Sequence, residues 1–145
     1  MQEIGRLPAV ITKSNEAKRL IEAGLDRVRE TVRLDGPDIA VFDADSSDVL
    51  INRYSPYHFF PKARYSVGIV RTADAIKITA MRNPWRQFPS VYLGKVFKRF
   101  GGGGHQRVGS VVLRGSNVED AERVVKQLVR EIRNEEMGRK RTIAA

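Results

Sequence analysis

The stretch SVYLGKVFKRFGGGGHQRVGSVVL, residues 90–113, changes its periodicity twice. From Ser90 to Phe100, Val96, Phe97 and Phe100 recur at helical spacing, with Lys95, Lys98 and Arg99 facing outward. Gly101, Gly102, Gly103 and Gly104 then break the helix, and Val111-Val112-Leu113 reads as a strand. Beyond it, Ser116-Asn117-Val118-Glu119 matches an S-x-x-E capping box. The helix it opens, 117–136, buries Val118, Ala121, Val124, Val125, Leu128, Val129 and Ile132.

Working back from this stretch, residues 75–81 alternate Ile76, Ile78 and Ala80 with Lys77, Thr79 and Met81, the pattern of a half-buried strand. A second strand, Tyr65 to Arg71, joins it through a hairpin turn at Thr72-Ala73-Asp74. Ile39-Ala40-Val41-Phe42 is a continuous apolar run, as in a strand buried on both faces. Ser14 caps a helix over 14–33 that closes at Asp35-Gly36-Pro37, and residues 1–13 read as an irregular lead-in or short edge strand. No linker or internal repeat divides the chain. The expectation is a single α/β domain, residues 1–136, with a mixed sheet of four to five strands flanked by helices. A basic tail, 137–145, follows.

The chain has 145 residues, a formal charge of +9 and no cysteine, which excludes disulfides, thiolate zinc sites and cysteine nucleophiles. No apolar run approaches the roughly 20 residues that span a bilayer, so a cytoplasmic protein with no membrane partner is expected. The charge is concentrated. Residues 53–114 hold twelve cations against one acid, Asp74, and nearly all of the aromatic side chains. Such a mixture suits nucleic acid or a phosphorylated nucleotide.

The four glycines give that charge a focus. Glycine loses the most backbone freedom on folding, and consecutive glycine amides can converge on an anion without side-chain obstruction. His105 and Arg107 stand beside them as donors. The run is neither G-x-G-x-x-G, because Gln106 and Arg107 occupy the last required positions, nor a P-loop, which needs Gly-Lys-Ser/Thr.

Phe100-Gly101-Gly102-Gly103-Gly104-His105, between a helix and a strand, resembles the glycine-histidine signature of the DHH-associated C-terminal domain. That domain occurs in DHH-family phosphoesterases such as RecJ-type exonucleases and small-RNA nucleases that also take phosphoadenosine phosphate. Ile76 to Asn83 is similar to the family's strand ending in an arginine near the ligand, written S-x-R-S, with Arg82 as that arginine. The resemblance covers roughly residues 38–115. It departs at Val108-Gly109-Ser110, where the family has Ala-Ala-Gly, and at Ala80 and Asn83, which replace the two serines. The resemblance implies a phosphate site of Gly101 to Gly104, His105, Arg107, Arg82 and Asn83. It also implies a division of labour, in which a separate DHH domain holds two metals, commonly manganese, and hydrolyses the substrate clamped by this domain. This chain lacks Asp-His-His and has only His58 and His105, so by itself it is expected to bind and not to cleave. A free-standing single-stranded nucleic-acid module is the alternative.

Two further features stand apart from this motif. Asp43-Ala44-Asp45, after a buried strand, resembles the first motif of haloacid-dehalogenase phosphatases, but it lacks a downstream carboxylate pair for magnesium. A turn that solvates the strand end is the simpler reading. Trp85, between Arg82 and Arg86, is a candidate base-stacking platform, whereas His58 among Tyr57, Phe59 and Phe60 reads as packing.

Overall fold

A computed structural model describes residues 8–115 and 117–144. In chain order the elements are α1 (Pro8–Thr31), β1 (Arg33–Asp35), β2 (Ile39–Asp45), α2 (Ser55–Phe59), β3 (Tyr65–Arg71), β4 (Ile76–Arg82), α3 (Leu93–Lys98), β5 (Gly103–Gly104), β6 (Val108–Leu113) and α4 (Val118–Ala144). The strands form one six-stranded sheet in the order β1-β2-β3-β4-β6-β5. Only β2 and β3 run parallel, with Ile39 opposite Tyr65 and Asp45 opposite Arg71; the remaining pairs are antiparallel.

The continuous apolar run of β2 follows from its position. Ile39 and Val41 join Tyr65, Val67, Ile69, Ile78 and Ala80 on one face, under Leu128 and Ile132 of α4 and Phe97 of α3. Ala40 packs on the other face with Tyr57, Ala63 and Met81, while Phe42 and Ala44 meet Val28 of α1. A strand at the centre of a three-layer sandwich has no solvent face to keep polar. Burying Leu128 or Ile132, both fully inaccessible, contributes about 1.5–3 kcal/mol each.

Several boundaries differ from the sequence expectation. The first helix begins at Pro8, not Ser14, because proline fits the first helical turn, where its missing N–H is no loss. Residues 1–7, and the expectation placed on them, lie outside the described residues. Asp35-Gly36-Pro37 does not close that helix. It ends at Thr31, and Gly36, at φ +72°, turns the chain from β1 into β2. This hairpin and the short β5 raise the strand number to six. Helix α3 is shorter than 90–100, and Ser55–Phe59, among the aromatics around His58, forms the one-turn α2. Ser116 lies outside the described residues. The capping box is formed one residue later, with Asp120 N donating to Asn117 Oδ1 at 2.9 Å and Asn117 N reaching the Asp120 carboxylate at 3.5 Å. The backbone expected to leave as a tail from 137 continues as helix to Ala144. The hairpin turn stands as expected, since Thr72 N and Oγ1 both donate to Ala75 O.

The concentrated charge is partly neutralised from outside its own stretch. Arg64 pairs with Glu136 at 2.9 Å, Arg71 with Asp43 at 3.0 Å, and Arg99 with Glu131 and Glu135 of α4. The sheet and α4 thus recruit acids that lie far away in sequence. Among the described residues, no helix is long and apolar enough to cross a membrane.

Candidate functional site

The glycine run first ends a helix. Gly101 takes φ +85°, its N–H donates to Lys98 O at 3.2 Å, and Gly102 N–H donates to Phe97 O at 2.9 Å. This is the double bond of a Schellman close, in which the left-handed residue is usually glycine. Gly103 and Gly104 then pair with Ser110 and Gly109 as β5. The amides of Gly101 and Gly102 therefore serve α3 and do not converge on a shared anion position, which corrects the expected four-amide nest.

Close backbone contact explains most of the glycines in this corner. A Cβ on Gly94 would lie 2.6 Å from the Gly104 carbonyl, and one on Gly109 would lie 2.3 Å from the Phe97 ring. A Cβ on Gly104 would strike Val108 O at 2.2 Å. Gly103 differs, because its Cβ would meet nothing within 4 Å and its φ is not positive.

The loop that follows is held entirely through its backbone. His105 O accepts from Gly94 N (2.8 Å), Gln106 O from Leu93 N (3.0 Å) and Arg107 O from Arg82 N (2.9 Å), while His105 N donates to Val108 O (2.7 Å). Three successive carbonyls are thus tied to α3 and β4, and the side chains of His105, Gln106 and Arg107 remain exposed. The start of α3 spends two of its free N–H groups on this loop. The arrangement presents an imidazole, an amide and a guanidinium from a fixed backbone.

Arg82 is the end residue of β4, and the register that pairs Met81 with Val108 carries Arg82 next to Arg107. One guanidinium nitrogen of Arg82 donates to Phe88 O (2.7 Å) and Arg86 O (3.2 Å). Its carbon sits 4.4 Å from the centroid of the Phe88 ring, which Arg64 also approaches at 4.3 Å. Arg82 Nε is buried and has no partner among the described residues. Neither Arg82 nor Arg107 has a carboxylate partner among the described residues, so two neighbouring cations stand uncompensated. Uncompensated cations close to one another repel, and a bound anion lowers that cost.

The other candidates separate from this group. Asn83 is fully buried. Its Nδ2 donates to Pro61 O (3.0 Å) and Ala63 O (2.7 Å), and its Oδ1 accepts from Trp85 N (2.9 Å). Its amide braces the 61–64 segment and is not presented to a ligand. Trp85 is 69% exposed and meets Tyr54 and Tyr57 edge-on, at 5.4 and 6.3 Å, beside a separate cavity that His58 also lines. Asp43 is ion-paired to Arg71, and burial raises its pKa above the ordinary carboxylate value despite that cation. Asp45 accepts from Ser47 N at 2.8 Å, the geometry of an Asx turn.

Sequence reasoning missed the bracing behind Arg82. Tyr65 donates to Glu136 and accepts from Val91 N at 2.9 Å, and Glu136 also holds Arg64. Burial, then the bond to Glu136, pushes the Tyr65 phenol well above its ordinary pKa. No local pattern links Tyr65 to a residue in α4. Only the predicted inward face of that helix hinted at contact.

No protein-family model matches this chain, and no curated protein matches it in sequence. Its fold does match solved structures. One is a pGpG-specific phosphodiesterase, PggH from Vibrio cholerae, with a TM-score of 0.74 and 19% identity over 91% of this chain and 45% of that one. Another is an exopolyphosphatase-related protein from Bacteroides fragilis, with a TM-score of 0.57 and 15% identity over 79% of this chain and 34% of that one. The chain spans less than half the length of either, and the likeness is one of fold. Among the described residues, no group of three or more His, Asp or Glu side chains could hold a metal ion.

Proposed function

We propose that this chain is the substrate-binding, DHH-associated domain of a cytoplasmic DHH-family phosphoesterase, gripping a phosphate of a nucleotide or short nucleic acid. The observation that carries the reading is the fixed 105–107 loop, which leaves His105 and Arg107 exposed and is bonded to Arg82 N through the Arg107 carbonyl. The fold shared with part of a phosphodiesterase and part of an exopolyphosphatase-related protein supports it. Arg82 and Arg107 neutralise the phosphate and His105 donates to it. Gly103, whose surroundings are open, lets the ligand approach β5.

The described residues do not fit a two-metal centre, so no hydrolytic step is assigned to them. Metal chemistry, commonly manganese in this family, belongs in this reading to a separate DHH domain opposed to the 105–107 loop. Calorimetry with pyrophosphate and with a 5′-phosphorylated dinucleotide tests the reading. Arg82→Met and His105→Ala should each weaken both ligands at least tenfold. The thermal midpoint should stay unchanged in His105→Ala and fall in Arg82→Met, which also loses the bonds to Phe88 O and Arg86 O. Undiminished affinity in both variants refutes it.

A further inference from the structure

A second concave feature lies away from the 105–107 loop. A cavity of about 480 Å³ opens between α1 and the 52–61 segment, with Ile21, Leu25, Tyr54, Tyr57, His58 and Trp85 on its walls. Its size falls in the range of small-molecule sites. Trp85 and Tyr54 are 69% and 44% exposed, so the chain leaves large aromatic surface in water where folding alone would bury it.

The ring geometry is specific. Tyr54 and Tyr57 meet the indole at 63° and 74°, so neither lies flat on it and a planar heterocycle can. The rim also carries hydrogen-bonding groups of both kinds. Glu22 is an acceptor with no ion-pair partner among the described residues. Asn52 spends its Oδ1 on Tyr54 N at 2.9 Å and keeps its amide hydrogens to donate. A lipid chain or an aliphatic side chain would use neither. Three wall residues outside α1 are followed in sequence by a cation, Arg53 after Asn52, Lys62 after Pro61 and Arg86 after Trp85, and Arg86 is bonded to the Lys62 carbonyl.

We propose that this cavity receives the nucleobase of a nucleotide, stacked on Trp85 with its polar edge read by Glu22 and Asn52. The choice of a nucleotide rests on the phosphoesterase-domain reading above, but the pocket can be tested without any phosphate. Trp85 is the sole tryptophan, so its fluorescence reports the pocket directly. Adenosine and adenosine 5′-monophosphate should quench it saturably in the millimolar range, whereas pyrophosphate should not. Tyr54→Ala should weaken quenching by adenosine at least fivefold. In calorimetry, Trp85→Ala should abolish adenosine binding. Absence of saturable quenching, equal quenching by pyrophosphate, or undiminished adenosine affinity in Trp85→Ala would each overturn the proposal. Adenosine quenching without pyrophosphate binding would sink the phosphate-site reading while upholding this one.

Discussion

The corner of α3, β5 and β6 and the cavity beside Trp85 are built from opposite materials. The corner is made of backbone. Gly94, Gly104 and Gly109 allow chains to touch where a methyl group would not fit, and the loop carbonyls are all bonded. The cavity is made of side chains, with Trp85 largely and Tyr54 partly in water. A backbone-built site holds its donors in place but tolerates no added atoms. A site built from exposed side chains can lose a wall and keep its fold.

The sharpest test of this contrast is Gly94→Ala. Its Cβ would lie 2.6 Å from the Gly104 carbonyl, and retreat would break the bonds to His105 and Gln106. A loss on the order of 3 kcal/mol in urea denaturation is expected. Trp85→Ala, by contrast, should stay within about 0.5 kcal/mol of the parent chain. Comparable losses in the two variants would erase the distinction.

Alkaline pH probes the framework between the two regions. Burial raises the pKa of both Tyr57 and Tyr65 above the ordinary phenol value. The folded chain therefore keeps protons that the unfolded chain releases near pH 10. Their contribution is complete below pH 10 and is lost as pH rises above it, roughly 1 kcal/mol per tyrosine by pH 11. Thermal midpoints measured from pH 8 to 11 should fall less steeply in Tyr65→Phe. Next in size is Phe88→Leu, which keeps an apolar side chain but removes the ring between Arg64 and Arg82. It should cost about 1–2 kcal/mol and loosen pyrophosphate binding with it. Smallest for stability is Gly103→Ala, below about 0.5 kcal/mol, because its Cβ points into open space. If ligand comes close to β5, calorimetry will nonetheless show weaker pyrophosphate binding in that variant.

The α/β class and most elements were legible in the sequence because burial imposes period. Ile76, Ile78 and Ala80 alternate on β4, and Ala121, Val125, Leu128 and Ile132 recur on α4. The hairpin β1–β2 was not legible, because Asp35-Gly36-Pro37 ends helices and turns strands with the same chemistry. Arg82, His105 and Arg107 were read as candidates from motif and charge; the structure bonds the backbones of Arg82 and Arg107 and exposes His105 on the same loop as Arg107. The sequence could not distinguish a glycine needed for a helix end, as at Gly101, from one needed for close contact, as at Gly104, or from one free of both, as at Gly103. The local charge was overstated for a similar reason, since Glu136, Glu131 and Asp43 reach Arg64, Arg99 and Arg71 only once the chain is folded.

The two outermost strands of the sheet, Arg33–Asp35 and Gly103–Gly104, have three and two residues. Arg133 of α4 fastens the first through Asp35, and α3 lies against the second. So short a ribbon offers almost no hydrogen-bonding template to an incoming strand. The outermost strands thus present little edge to a partner chain, while Phe42–Asp45 of β2 and Val111–Leu113 of β6 extend past them.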